Sequence, residues 1–532
     1  MRMNLAEVAL SLGCTLESIV WRDGGPWRNP EPATAGKCCL APTPPLGTAC
    51  ASAEFSFEAR YAELAARAPW ATVVPAGAGM DSRTIRPGDI FFCLPGERVD
   101  GHDFALAAAR AGACAIVANR NPFWDADVSG GKELPPVFLV QDVQKALWRA
   151  AVCHRDTSMA RVIGITGTAG KTSVKEVLAQ ILALRGLTQR NPMNLNNQIG
   201  LPLSMLNASA EALFWVMEAG ISEERDMDEL GQILRPDAGL ILNVGEGHLS
   251  GLGGRGVAAN KALLLDYIQP GGLALVSVDY PDLREEVKGR DKALADRGVE
   301  TFGFSARSRE AFAWAEYLGP SPDNAGQYRV SVDGREFFVH APFQGAFGSE
   351  NVAAVAAMAT KMGLKADEIA RGFAAARLPD QRFNCRRYGD VMLVDDSYNA
   401  NPLSATRMVD ACRTMADESG LPLVLVMGEM LELGERAEQA HEELGRTMAQ
   451  ASPALVFWKG GQAEAVQRGL RGAGYDREFY PVSGGQDFSL LLEELEPQSG
   501  LFLFKGSRRN NLERLVDILR ERVTPTGEPH AV

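Results

Sequence analysis

The passage that most constrains this chain is Gly164-Ile165-Thr166-Gly167-Thr168-Ala169-Gly170-Lys171-Thr172. The apolar run 162–166 leads into it and reads as a buried strand. Residues 172–184 follow with apolar side chains at helical spacing. Strand, glycine-rich turn and helix in this order build an anion cradle. The glycines let the backbone wrap an anion with its N–H groups, and the helix start adds favourable partial charge. Lys171 can neutralise β/γ-phosphates, and the Thr172 hydroxyl can ligate Mg²⁺. Gly167, Thr168, Ala169, Gly170, Lys171, Thr172 and Ser173 are therefore the candidate nucleotide-binding residues. A glycine-rich turn with a solvated lysine is the bland alternative, which the strand–turn–helix setting disfavours.

The surroundings repeat the same style. A strand is expected at 213–217, a helix at 225–234 and a strand at 238–244, with an alanine-rich helix at 353–361. Strands alternating with helices predict a parallel sheet covered on both faces. Upstream, 86–89 and 95–96 read as turns, 90–94 and 113–118 as short strands, and 104–111 as a helix. Downstream, strands are expected at 391–394, 423–427, 454–458 and 501–504. A chain of 532 residues at roughly 100–200 residues per domain fits three domains. The expected fold class is α/β. It comprises a small α/β N-terminal domain (1–155, with 22–75 as an insertion or loop), a central domain with a P-loop-type parallel sheet (156–378) and a Rossmann-like C-terminal domain (379–532). The tail beyond 522 is expected to fray.

Composition removes several function classes. The net charge is −13, from 67 acidic against 54 basic residues, which suits neither a nucleic-acid partner nor general polyanion binding. No apolar run approaches the ~18 residues of a transmembrane helix. The first twenty residues lack a signal-peptide layout, so a cytoplasmic location is expected. Nine cysteines without a C-x-x-C pair read as reduced thiols.

Downstream of the loop one carboxylate is a candidate for metal chemistry, and a histidine and a lysine stand out after it. Glu218 follows the strand at 213–217, where a carboxylate is well placed for Mg²⁺. His248 follows the strand at 240–244. Lys261 lies in Ala258-Ala259-Asn260-Lys261-Ala262. In isolation each has a bland reading: a surface acid, a hydrogen-bonded histidine and a solvated helix lysine.

The short form Gly167-Thr168-Ala169-Gly170-Lys171-Thr172 resembles the loop of the Mur ligase and folylpolyglutamate synthetase group. Further stretches resemble the Mur ligase family more narrowly. Asp81-Ser82-Arg83, Pro87-Gly88-Asp89 and 96–104 look like its UDP-sugar-binding N-terminal domain. Asn194-Leu195-Asn196-Asn197-Gln198-Ile199-Gly200 is similar to the asparagine-rich segment near its UDP-muramoyl substrate. Asp395-Asp396-Ser397-Tyr398-Asn399-Ala400-Asn401-Pro402 resembles the D-alanyl-D-alanine-adding branch. Met427–Gly434 and Lys505-Gly506-Ser507-Arg508 complete the C-terminal pattern. The match runs in order from about residue 81 to 515.

The resemblance implies an ADP-forming, ATP-dependent ligase of peptidoglycan synthesis, hence of cell-wall biogenesis. It would join UDP-N-acetylmuramoyl-tripeptide to D-alanyl-D-alanine through an acyl phosphate. It implies ATP contacts from Asn351, Arg382 and Asp396, and substrate contacts from Ser82, Arg83, His102, Asn194, Asn196, Asn197, Tyr398 and Asn399. It also implies two Mg²⁺ ions with Thr172, Glu218, His248 and Lys261 as ligands, Lys261 as a CO₂-derived carbamate. Lys171, Glu218, His248 and Lys261 are the implied catalytic group, and a monomer is expected. A hinge is expected near 377–382. The chain departs from the pattern at Leu263, where an acid is usual, at Phe347, where a histidine is usual, and at Leu242, where a threonine is usual. Two rival readings remain: a related amide ligase with another acceptor, and a degenerate paralogue that binds these ligands without turnover.

Overall fold

The computed structural model describes residues 1–14, 18–20, 61–62, 64–66, 68, 70–96, 98–123, 134–245, 256–321, 325–497 and 499–523. Most of the expected insertion at 22–75, and His248, lie outside them. The described chain falls into two compact units, 1–162 with 187–219 and 228–236, and 163–186 with 220–227 and 237–532.

In the first unit, a small sheet runs in the order Ile19–Val20, Val137–Leu139, Ala115–Ala118, Asp89–Phe92, Gly77–Gly79. Only the Ile19–Val20 pairing is antiparallel. Near-continuous burial of Ile90, Phe91, Phe92, Ile116 and Val117 fits a sheet covered on both faces. Thr188–Arg190 and Phe214–Glu218 form a parallel pair of the same unit. Helix Val143–Thr157 starts at Asp142, whose carboxylate accepts from Lys145 N–H, a standard N-cap.

In the second unit, strands run in the order Arg335–Ala341, Gly326–Val332, Ala313–Pro320, Glu300–Ser305, Leu273–Ser277, Ala238–Ile241, Arg161–Thr166. Pairing is parallel from Ala313–Pro320 inward and antiparallel over the outer strands. The expected parallel sheet is thus present and is extended at its edge by two antiparallel hairpins. They carry alternating exposed residues such as Glu336, Phe338 and His340, a half-solvated pattern that antiparallel strands tolerate. A further sheet runs Asn384–Tyr388, Val391–Asp396, Gly500–Lys505, Leu423–Gly428, Leu455–Lys459, Phe479–Pro481 and is parallel after its first pair.

Two boundaries differ in ways that matter for the site. The alanine-rich helix begins at Gly345 rather than 353, so Phe347, Glu350 and Asn351 are helical. The strand expected at 391–394 runs on to Asp396, so both aspartates end a strand. Helix Pro402–Ser419 has all its punctuation in sequence. Asn401 Oδ1 accepts from Ser404 N–H at 2.9 Å, Pro402 takes the first turn, and Gly420 closes the helix at φ +66°.

Two histidines sit inside the cores. His154 contacts the Ala208 carbonyl through Nε2 at 2.8 Å, and His441 Nε2 accepts from Met430 N–H at 2.9 Å. Burial pushes both rings below the ordinary value of 6.5. Below that pH the unfolded chain takes up protons that the folded chain resists, so this stability is complete above 6.5 and is lost as pH falls further. Thermal unfolding is therefore expected at a lower midpoint at pH 5.5 than at pH 7.5, with the slope flattened by His441→Gln. A midpoint that rises on acidification would contradict this.

Candidate active site

The loop of the second unit is shaped before any ligand is considered. Gly170 caps helix Lys171–Leu182 in the left-handed region at φ +82°. A Cβ added there would lie 2.7 Å from Asn351 Oδ1, so glycine is required on both counts. The side chain of Asn243 closes the turn. Its Oδ1 accepts from Thr168 N–H at 3.0 Å and Ala169 N–H at 2.8 Å, and its Nδ2 donates to the Ala169 carbonyl at 3.0 Å. The expected ligand amides of Thr168 and Ala169 are thus engaged inside the protein. Those of the first helical turn, Lys171 to Ser173, lie at the helix start, the end that carries positive partial charge.

Two lysines converge on this turn. Lys171 Nζ donates to the Gly167 carbonyl at 2.8 Å, and Lys261 Nζ donates to the same oxygen at 3.0 Å. Lys261 is 3% exposed, not the solvated helix lysine of the bland reading. Asn351 is buried beside the loop, its Oδ1 without a partner among the described residues. So is the Thr166 hydroxyl at the end of the strand.

Residues from beyond 377 reach the loop. Arg382 Nη2 donates to Thr172 Oγ1 at 3.3 Å, and its guanidinium stands 4.1 Å from the Tyr398 ring centre. Asn401 Nδ2 donates to the Thr168 carbonyl at 3.2 Å. Asp396 Oδ2 pairs with Lys505 Nζ at 2.5 Å, and Oδ1 accepts from Phe383 N–H at 3.1 Å. Lys505 also donates to the Asn399 carbonyl at 3.0 Å. Asp395 turns instead to Ser397, and burial pushes its carboxyl above the usual range. Phe347 packs edge-on against Phe383, ring centres 6.3 Å apart.

The candidates of the first unit form their own clusters. Glu218, 2% exposed, ends its strand. Its Oε1 accepts from Asn196 Nδ2 at 2.7 Å, and Asn191 brackets its main chain on N–H and carbonyl. Asn197 Oδ1 accepts from Gly200 N–H at 2.8 Å, the bland helix-start role, and Asn194 is exposed. Arg83 is exposed and paired with Asp81 at 2.6 Å, and Ser82 sits in the same turn. His102 is buried, with Nδ1 on Asp100 at 2.5 Å and Nε2 accepting from Asn119 N–H at 3.3 Å. One ring nitrogen thus binds its own turn, and the other the chain just after strand Ala115–Ala118. Among the described residues no group of three or more His, Cys, Asp or Glu could hold a metal ion.

Sequence reasoning missed Asn243 as the clamp of the turn, and Glu350 and Arg407 behind it. Asn243 Nδ2 donates to Glu350 Oε2 at 3.1 Å, and Arg407 Nη1 lies 3.0 Å from that oxygen. The one local signal was an asparagine two residues beyond the end of a buried strand.

Comparison with known proteins adds three matching family models: "Mur ligase family, catalytic domain" over residues 76–184, "Mur ligase middle domain" over 165–359, and "Mur ligase, glutamate ligase domain" over 381–508. The UDP-N-acetylmuramoyl-tripeptide--D-alanyl-D-alanine ligase of Escherichia coli strain K12 is 31% identical over 446 residues, 84% of this chain and 93% of that protein. Its namesake from Bacillus subtilis strain 168 is 28% identical, with the same coverage. Among solved structures, MurF from Acinetobacter baumannii superposes with TM-score 0.72 at 28% identity, covering 83% of this chain and 93% of that one. MurF from Thermotoga maritima in complex with ADP gives 0.70 at 27% identity, covering 84% and 97%.

Proposed function

The chain belongs to the Mur ligase family, and from that premise we propose that it joins D-alanyl-D-alanine to UDP-N-acetylmuramoyl-tripeptide, converting ATP to ADP and phosphate. The observation that carries this reading is the meeting of two sequence motifs in the second unit. Arg382 on Thr172 and Asn401 on the Thr168 carbonyl bring residues at and beside the Asp395–Pro402 stretch onto the phosphate loop. That stretch resembles the D-alanyl-D-alanine-adding branch, and the similar ligases carry that activity in their names.

Carboxylate oxygen is a poor leaving group, so direct amide formation fails. Transfer of the γ-phosphoryl group to the tripeptide carboxylate gives an acyl phosphate with a good leaving group. The dipeptide amine then attacks, and phosphate departs. Lys171 neutralises charge on the transferring group, assisted by the first-turn amides. In its present position the Lys171 ammonium rests on the Gly167 carbonyl, a weak acceptor that phosphate oxygens readily displace. Arg382 and Asp396 are assigned to the nucleotide with Asn351, whose buried Oδ1 has no partner among the described residues. Ser82, Arg83, His102, Asn194, Asn196, Asn197, Tyr398 and Asn399 are assigned to the other substrates.

Thr172 offers a hard oxygen donor of the kind Mg²⁺ prefers, with Glu218, His248 and Lys261 assigned by motif order along the chain. When bound, the ion neutralises charge on the ATP phosphates. Two ammonium groups on one carbonyl, the buried one of Lys261 and the half-buried one of Lys171, repel each other, which favours a Lys261 that has exchanged its charge for a carbamate. We further propose domain limits of 1–155, 156–378 and 379–532, a monomer and a cytoplasmic location. Consistent with the last, no helix among the described residues is long and apolar enough to cross a membrane.

Phosphate release tests the reading. With Mg-ATP and UDP-N-acetylmuramoyl-tripeptide, release is expected to depend on added D-alanyl-D-alanine and to yield the pentapeptide mass. Equal release with D-alanine or an L-amino acid as acceptor, or none with all three substrates, would reject it.

A further inference from the structure

We propose that Glu350 and Arg407 are positioning residues for nucleotide binding: together they fix which way the Asn243 amide points, and so impose the shape of the phosphate turn from a helix of the C-terminal domain. The inference rests on the ATP-dependent reading above.

A primary amide has an acceptor end and a donor end that differ little in shape. Asn243 must present its oxygen to Thr168 N–H and Ala169 N–H. Rotated by half a turn, it would set donors against donors and open the turn. The Glu350 carboxylate prevents this. When ionised it only accepts, and its Oε2 takes the Asn243 Nδ2 at 3.1 Å. Its other oxygen accepts from Ser277 Oγ at 3.2 Å.

Such a carboxylate is costly to keep charged. Glu350 is 2% exposed, and burial pushes its acidity toward the neutral form, opposed chiefly by Arg407. A protonated Glu350 could offer a donor where Asn243 needs an acceptor. Arg407, 3.0 Å from Oε2, also bonds the Tyr280 hydroxyl, so its fork is held on two sides. Arg407 lies on helix Pro402–Ser419, directly after the Asp395–Pro402 stretch. The cap of that helix, Asn401, donates to the Thr168 carbonyl. One helix thus grips the turn twice, directly through Asn401 and indirectly through Arg407, Glu350 and Asn243. Seating this helix and forming the cradle become linked equilibria, in which each favours the other.

Calorimetric titration of the full chain with ADP and Mg²⁺, paired with steady-state kinetics, tests this. E350A is expected to weaken ADP at least tenfold. E350Q, whose carbonyl can face Asn243 while its NH₂ faces Ser277, is expected to stay within threefold of the parent chain. R407M is expected to weaken ADP at least fivefold, although its site lies off the loop. In turnover, the KM for ATP should rise in E350A and R407M while that for D-alanyl-D-alanine stays within twofold, a split that mere loss of folded protein cannot produce. Equal weakening by E350A and E350Q, unchanged ADP affinity in R407M, or parallel shifts in both KM values would overturn the proposal. If E350A does not fold, R407M and E350Q decide. A parent chain that binds ADP but never releases phosphate would sink the proposed reaction instead, while the calorimetric comparison would still judge Glu350.

Discussion

Lys171→Ala is expected to lower phosphate release by about a thousandfold or more, on the scale of removing a charge-stabilising donor from a transition state, with the fold intact. The lysine sits in the first turn of its helix with its ammonium on a backbone carbonyl. Truncation therefore removes charge from the loop without opening a core, and alanine suits a helix better than most residues. The effect should fall mainly on kcat, because charge on the transferring group grows as the reaction proceeds. Thermal unfolding within a few degrees of the parent chain would accompany it. A variant that retains even a tenth of the parent turnover would remove Lys171 from the chemistry.

The second large effect is on stability. Lys505→Ala should cost about 3–5 kcal/mol, the usual result of stripping one partner from a buried ion pair. The side chains of Lys505 and Asp396 are only 2% and 12% exposed, and they meet at 2.5 Å. Asp396 would keep Phe383 N–H but lose its counter-charge, and the Asn399 carbonyl would lose its donor. Replacing both partners, Asp396→Asn with Lys505→Met, should recover most of the stability, since two neutral groups carry no uncompensated charge. Urea unfolding of the single and paired variants measures the difference. A single-variant loss under about 1 kcal/mol, typical of an exposed pair, would show that water reaches the pair freely.

Local chemistry made much of this fold readable. Val162, Ile163 and Ile165 are fully buried, as their unbroken apolar run requires. The glycine-rich turn and the helix that begins at Lys171 follow from neighbours in sequence alone. The caps of helix Pro402–Ser419 are likewise adjacent residues. The outer strands from Ala313 to Ala341 escaped detection because they carry charges and aromatic rings on half-solvated surfaces, which periodicity reads weakly. The start of the helix at Gly345 was hidden because Glu350 and Asn351 interrupt an alanine pattern for reasons of the site. The clamp itself was illegible. Asn243, Glu350 and Arg407 lie on three separate elements, and no spacing rule links a strand end to two helices so far along the chain. Phe347, in a position usually held by histidine, became intelligible only once Phe383 was found against it.

Asn401 shows why a helix terminus can carry a constraint that stability data would overlook. Its oxygen starts the helix and its nitrogen holds the Thr168 carbonyl. Aspartate and serine begin helices about equally well. Aspartate has no hydrogen to give, and the serine hydroxyl is too short to serve both ends. The amide is thus a joint whose two halves answer to different demands, and exchanging it for an equally good helix starter would uncouple the second without disturbing the first.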